Sequence, residues 1–338
     1  MKNYNFKDLH LNNKTILVTG GTGSFGQYFV ETVIKNFKPK KLIIFSRDEN
    51  KQFIMEKKFS QSKYSFLRYF IGDIRDLERL KMALNGVEFV IHAAALKHVT
   101  IAEYNPFEFI KTNVIGADNL VSACRINNVN KLISISTDKA TNPVNLYGAS
   151  KLAADKIFIA ANNYMGNKGT KFSIVKYGNV LGSRGSIIPL FLNIRKEKNK
   201  VFPITDPRMT RFFISLEQGI SFVLSNLSTM KGGEVFIPKI PSLRIVDLAK
   251  AIDPKRKLKI VGRRPGEKIH ETLLSKEESV FTVEKKDRYI TYPNLDIKKI
   301  KRIKYNVDDD FTYESNNNSE WLSIEEIKKF LKKLKLNH

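Results

Sequence analysis

Along the first half of the chain, short apolar runs alternate with segments whose apolar positions recur at helical spacing. The runs "TILVT" (15–19), "KLIIF" (41–45), "RYFIG" (68–72), "EFVIHA" (88–93), "KLISIS" (131–136) and "KFSIVKY" (171–177) are mostly continuous and rich in β-branched and aromatic residues. That is the pattern of strands buried on both faces. Between them lie helical patterns such as "GQYFVETVIKNF", apolar at Phe29, Val33 and Phe37. Such alternation predicts an α/β protein, a parallel sheet with helices on both faces. After residue 178 the alternation loosens. "RFFISLEQGISFVLSNL" followed by "GGEVFIP" predicts one more helix and strand returning to the sheet. A closing helix from 324 has a capping box in Ser323 and Glu326, with Ile324, Ile327, Leu331 and Leu334 on one face.

Composition changes this picture little. Of 338 residues, 42% are apolar and 27% charged, as in soluble globular proteins. No apolar run reaches the roughly 18 residues of a membrane span. The start, "MKNYNFKDLHLNNK", lacks a signal peptide's apolar core and cleavage site. One cysteine, Cys124, lies in the apolar helical pattern "NLVSACRINN", which points to packing, and a cytoplasmic setting follows as the default. The net charge of +24 is spread over both halves of the chain. Its densest runs, "IRKEKNK" and "PKRKLK", have no interleaved aromatics, so a basic solvated surface is expected, with neither nucleic acid nor membrane as partner. No metal site is expected. An anionic cofactor and substrate would be attracted to such a surface.

The chemistry begins at "TILVTGGTGSFGQYF", a strand, a glycine turn and a helix start. Gly20, Gly23 and Gly26 have the G-x-x-G-x-x-G spacing of short-chain dehydrogenases. This assigns a Rossmann-like doubly wound sheet, whose loop, with Thr22, Ser24 and Phe25, would cradle a pyrophosphate. The dinucleotide-binding domain is expected to comprise residues 12–178 plus about 211–238. A smaller C-terminal α/β substrate-binding domain would comprise 179–210 plus about 239–338. The second strand ends in "IIFSRDENK", where an NAD enzyme usually has an acid. Ser46 stands there instead, Arg47 follows with Lys51 beyond, and Asp48 intervenes. This suits a 2′-phosphate and favours NADP. Asp73 and Ile74, at the end of the third strand, would meet the adenine. Ala93 belongs to a small-residue track in "HAAALKH", from which Lys97 reaches toward the substrate.

In "STDKATNPVNLYGASK" (136–151), Tyr147 and Lys151 stand at i and i+4 of a helix beginning near Leu146. The lysine would lower the tyrosine's pKa and bind ribose hydroxyls, while the phenolate takes a hydroxyl proton. Thr137 supplies the usual hydroxyl. Asp138 and Lys139, past the fifth strand's end, are an acid and a base that simple dehydrogenation does not need. They suit an elimination, because an oxidised sugar carbon acidifies its neighbouring C–H.

With "GGTGSFG", "SRDE", "FIGDIRD", "HAAALKHV", "IAEYNP", "YGNVLGSRGSIIP", "ITDPRMTRF", "GGEVFIPKIPS", "RRPGEKIHE" and "SNNNSEWLS", these residues resemble the inverting UDP-N-acetylglucosamine 4,6-dehydratases of the pseudaminic acid pathway. These are extended short-chain dehydrogenases, and Asp-Lys-Ala is their most specific mark. The resemblance implies bound NADP, UDP-N-acetylglucosamine as substrate and a homo-oligomer, a hexamer by family likeness. It implies Lys139 as base, Asp138 as acid and Tyr147 as redox tyrosine. Lys97, Asn179, Ile187, Thr205, Arg264 and Glu267 become substrate contacts. Val180, Leu181, Gly182, Ser183 and Arg184 line the nicotinamide end. The chain departs from the family pattern at Asn50, Thr100, Lys176 and Phe213. The alternatives are a UDP-N-acetylhexosamine epimerase or dehydratase of capsule or O-antigen synthesis, and a cofactor-binding sensor or RNA-binding protein that has lost turnover. The presence of all four of Tyr147, Lys151, Asp138 and Lys139 speaks against the last.

Overall fold

A computed structural model describes residues 4–166, 169–183, 185–197, 200–295, 300 and 306–333. Six parallel strands follow the six apolar runs: β1 (Thr15–Thr19), β2 (Lys41–Ser46), β3 (Leu67–Ile71), β4 (Phe89–His92), β5 (Lys131–Thr137) and β6 (Lys171–Tyr177). They lie in the order β3-β2-β1-β4-β5-β6, the dinucleotide-binding order whose strand sequence reverses between β1 and β4. Val235–Pro238 adds a parallel strand beside β6. Arg288–Thr291 and Thr282–Glu284 then close that edge antiparallel, making nine strands in all.

Alternate residues of each strand feed opposite faces. Ile16 and Val18 join Phe29, Val33, Ile44 and Ile133 in one fully buried layer. Leu17 joins Leu120, Cys124, Leu132 and Phe158 in the other. Burial of each such side chain stabilises by about 1.5–3 kcal/mol, so the two layers hold the helices against both faces of the sheet. Cys124 is a buried free thiol, and burial pushes its pKa well up. The glycine turn is dictated by space. Gly20 has φ +64°, and a Cβ on Gly26 would stand 2.4 Å from the Gly21 backbone. Glycine at 26 lets the helix Ser24–Asn36 start against the strand it follows.

A third core, with Leu181, Phe191, Phe202, Phe213, Leu243 and Ile327, belongs to the second part of the chain. There Thr210–Ile214 pairs with Asn179–Val180 and Ser242–Arg244, and Phe202–Ile204 with Leu258–Ile260. Two segments therefore sit differently from the boundaries expected from sequence. Residues 282–291, placed with the substrate part, complete the main sheet. Strand Thr210–Ile214, placed almost wholly with the dinucleotide part, is the centre of the smaller sheet. Strands of three to five residues carry too little periodicity to reveal their partners. The closing helix Ile324–Lys333 has its capping box, Glu326 N–H donating to Ser323 Oγ at 3.2 Å and Ser323 N–H to Glu326 at 2.9 Å. Leu334 lies outside the described residues. No described helix is long and apolar enough to cross a membrane.

Candidate active site

Above the carboxyl ends of β1, β4 and β5 opens a cleft of about 700 Å³. Its floor is the glycine turn. The helix Ser24–Asn36 begins with no side-chain cap at Gly23, which leaves its N-terminal dipole for a ligand anion. Gly20, Thr22, Gly23, Ser24 and Phe25 line this end, with Ser46, Arg47, Asp48, Lys51, Asp73 and Ile74 beside them. Gly26 stands behind the wall, spent on packing. Thr22 and Ser46 share a hydroxyl hydrogen bond of 2.8 Å. Arg47 is 55% exposed, 3.9 Å from Asp73. Lys51 is paired to Asp48, and Asp73 is held by Arg75 at 2.8 Å. Ser186 Oγ, also on the cleft wall, is buried with no protein partner. A capless helix start, a cation at the β2 end and an orphaned hydroxyl form a donor set that fits a nicotinamide dinucleotide.

At the other end stand Ala93, Lys97, Thr137, Lys139, Tyr147, Lys151, Asn179, Val180 and Ser183. The helix Leu146–Tyr164 that carries the tyrosine is capped by Asn145, whose Oδ1 accepts from Gly148 N–H at 2.8 Å. Lys151 Nζ donates to the Ile135 carbonyl at 2.9 Å, and burial lowers its pKa against the pull of Asp155. Burial also pushes Tyr147 up to about 12, and the charge that most opposes this is Lys139. This corrects the expectation that Lys151 would lower the tyrosine. The i, i+4 spacing is as read, but burial and a lysine from another element dominate. His92 accepts from Thr19 at 2.8 Å; burial, with Lys151 nearby, holds it down at about 3 and therefore neutral.

Lys139 is the centre of the charge cluster. Its Nζ lies 3.0 Å from Asp138 Oδ1, 3.3 Å from Glu271 Oε1 and 3.4 Å from Asn179 Oδ1. Burial works against its charge, but the two carboxylates outweigh burial and hold its pKa up. Asp138 is fully buried, and that burial raises its carboxyl despite Lys139. It is absent from the cleft wall, its Oδ2 has no protein partner, and Oδ1 accepts from Thr137 Oγ1 at 3.0 Å. Any proton it gives to the cleft therefore passes through Thr137 or Lys139. Lys97 is lowered by burial and by Lys139.

Ile187, Thr205, Arg264 and Glu267, and also Leu181 and Gly182, are not among the residues lining the cleft. Arg184 lies outside the described residues. Thr205 donates to Met209 Sδ at 3.0 Å, and Arg264 N–H to Glu267 at 3.1 Å. Their loop is tied to the catalytic helix, Asn145 donating to the Gly266 carbonyl at 2.8 Å. Two residues in the cluster escape sequence reading. Glu271 ends the quoted "RRPGEKIHE" but has no spacing relation to Lys139. Asn113 sits in a π-helical turn, Ile110–Ile115. It grips both backbone groups of Leu96, at 2.9 and 3.0 Å, and donates to Ser150 at 3.0 Å. With Lys111 and Thr112 beside it, nothing in "IKTNVI" marks Asn113 out in the sequence.

The family described as polysaccharide biosynthesis protein matches residues 16–293. The UDP-N-acetylglucosamine 4,6-dehydratase (inverting) of Campylobacter jejuni is 53% identical over 325 residues, covering 94% of this chain and 96% of that protein. A Rickettsia bellii protein named UDP-glucose 4-epimerase is 40% identical, covering 94% and 95%. Among solved structures, Pen from Bacillus thuringiensis aligns with a TM-score of 0.88 at 35% identity, over 96% of this chain and 99% of that one. On these matches the chain belongs to the polysaccharide biosynthesis protein family of extended short-chain dehydrogenases, the family of the inverting UDP-N-acetylglucosamine 4,6-dehydratases.

Proposed function

We propose that the protein is an NADP-dependent dehydratase that removes water from UDP-N-acetylglucosamine and inverts C5. The observation that carries this reading is the Asp138–Lys139 pair, 3.0 Å apart, beside Tyr147 in one cleft. An epimerase moves only the C4 hydroxyl proton and hydride; elimination needs a base at C5 and an acid at C6 as well. A bound NADP would supply the hydride acceptor for C4 and the donor for C6. Gly20, Thr22, Gly23, Ser24 and Phe25 would hold its pyrophosphate, Arg47 its 2′-phosphate, and Lys151 its nicotinamide ribose.

Tyr147 takes the C4 hydroxyl proton in its phenolate form, which the Lys139 ammonium favours against burial. Lys139 is held as an ammonium, so its lone pair must be freed before it can act. The buried Asp138 is the acceptor: in a low-dielectric site the neutral amine–carboxylic acid pair lies within reach of the ion pair. The Lys139 amine then takes the C5 proton, acidified by the C4 ketone. The Asp138 proton passes by Thr137 Oγ1 to the leaving C6 hydroxyl. Lys97 and Asn179 would face the sugar and Val180 and Ser183 the nicotinamide end. Arg264, whose guanidinium would fork onto the UDP diphosphate, and Glu267, Ile187 and Thr205 stand outside the cleft wall and are substrate contacts on the motif resemblance alone.

Inversion, placement at the start of pseudaminic acid synthesis for a surface glycan and a hexameric assembly rest on the motif resemblance, and a cytoplasmic site on the single cysteine. Mass spectrometry of UDP-N-acetylglucosamine incubated with the holoenzyme tests the reading. Loss of one water is expected. A product of unchanged mass would favour the epimerase that the Rickettsia name suggests.

A further inference from the structure

We infer that Glu271 is a positioning residue for the proton-handling pair: it holds the Lys139 ammonium on the cleft side of Asp138 and balances Arg211, so that the pair carries one exchangeable proton at neutral pH. The inference rests on the dehydratase reading for its catalytic meaning, but its geometry stands alone. Glu271 Oε1 is 3.3 Å from Lys139 Nζ and 3.5 Å from Arg211 Nε, and its side chain is 3% exposed.

Its backbone is clamped in place. Glu271 N–H donates to Ser315 Oγ at 2.9 Å, and Ser315 N–H donates to the Glu271 carbonyl at 2.9 Å. Ser315 Oγ in turn shares a 2.7 Å hydrogen bond with Thr210, next to Arg211. Such a clamp leaves the carboxylate little choice of direction. Its second oxygen is buried without a protein partner, an arrangement that stability alone disfavours.

The groups facing Lys139 come from every neighbouring element. Asp138 shares its turn. Tyr147 comes from the catalytic helix, Arg211 from strand Thr210–Ile214, Glu271 and Lys268 from one segment, and Lys97 from the loop after β4. With Asp138 and Glu271 ionised, two anions meet Lys139, Arg211, Lys97 and Lys268. Lys97 and Lys268 are themselves lowered by burial. Glu271 is the carboxyl that stays ionised: burial pushes it up, but Lys139, Arg211 and Lys268 outweigh burial and hold it below the ordinary range. Asp138, raised, is left as the one that takes a proton. Two carboxylates around one lysine thus divide the work, one fixing the charge and the other exchanging the proton.

Glu271→Gln keeps the shape and removes the charge. Competitive acylation of native holoenzyme across pH, read by peptide mass spectrometry, follows the Lys139 titration through the open cleft. In the variant this titration moves down by about one pH unit or more, as expected for losing a carboxylate at contact distance. Both limbs of the kcat/KM profile move to lower pH with it. Glu271→Asp, which withdraws the carboxylate by one methylene, gives a smaller shift in the same direction and decides the matter should the Gln variant not fold. Slower turnover with an unmoved Lys139 titration and unmoved limbs in the folded variant overturns the inference and leaves Glu271 a packing residue. Labelling is read without substrate, so it is separate from the dehydratase reading, which fails if the wild-type holoenzyme releases no water.

Discussion

Replacing Lys139 by alanine tests the charge cluster through both rate and stability. In the wild-type protein the ammonium sits 3.0 Å from Asp138 and 3.3 Å from Glu271. At an effective dielectric near 20 the closer contact is worth about 5 kcal/mol of Coulomb energy. Truncating one partner of a buried pair costs about 3–5 kcal/mol. Because Lys139 is 23% exposed, the lower figure, about 3 kcal/mol, is expected. The cost depends on pH in a definite direction. Arg211 still compensates Glu271, so the uncompensated group is Asp138, whose folded-state pKa burial already raises. A folded pKa above the unfolded value of about 3.9 contributes stability below that pH and loses it as pH rises through the folded value. The variant's deficit should therefore be smallest near pH 4 and grow as the buried carboxyl ionises. Lys139 itself, raised in the fold, gives the wild type a contribution that is complete below about pH 10 and lost only above it. Urea unfolding of both proteins across pH measures the difference. Water loss should fall by about 10²- to 10⁴-fold, the usual cost of losing a general base. Dehydration at near-normal rate, or a deficit that is flat with pH, would refute Asp138 and Lys139 as the proton-handling pair.

Three further outcomes are expected. Arg47→Ala should weaken NADP binding by roughly 10- to 150-fold, the equivalent of one charge-assisted bond of about 1.5–3 kcal/mol, and leave NAD nearly unchanged; equal losses for both would remove Arg47 as the discriminator. Thr137→Val keeps the side-chain shape but cuts the path from Asp138 to the cleft, so turnover measured by mass spectrometry should drop by about 10²-fold or more; an active variant would mean that the proton travels by Lys139 instead. In deuterium oxide the product should carry one deuterium at C5 and none at C6, because the lysine exchanges with water and the hydride comes from C4; NMR showing an unlabelled C5 would exclude Lys139 as an exchanging base.

The strands of the main sheet were legible because strands buried on both faces write themselves as nearly unbroken apolar runs, as 16–18 and 42–45 do. The short antiparallel strands Thr282–Glu284 and Arg288–Thr291 were not, since three or four residues that mix charge with apolar side chains carry no clear period. At the site, Asp138 and Lys139 stood out as neighbours in sequence, and Tyr147 and Lys151 as neighbours on a helix. Glu271 reaches the same point from more than a hundred residues away, through a backbone clamp at Ser315, and nothing local announces it. Burial was equally invisible. The sequence placed Asp138 beside the substrate, whereas the fold puts it behind Thr137 and Lys139, which changes how it can deliver a proton.

That placement makes Thr137 the junction of two proton systems. Its side chain is hydrogen-bonded with Tyr147 and donates to Asp138, so oxidation at C4 and elimination across C5 and C6 meet at the end of β5. The charges couple them further. Lys139 as an ammonium favours ionised Tyr147, and ionised Tyr147 in turn helps to keep Lys139 protonated. On the proposed mechanism the phenolate that accepts the C4 proton loses its negative charge, and with it goes one of the smaller influences holding the Lys139 proton, so oxidation at C4 would ease the transfer to Asp138 at the stage when the ketone acidifies C5. A lysine freed early would face an unactivated C–H, and one held too tightly would stall at the keto sugar.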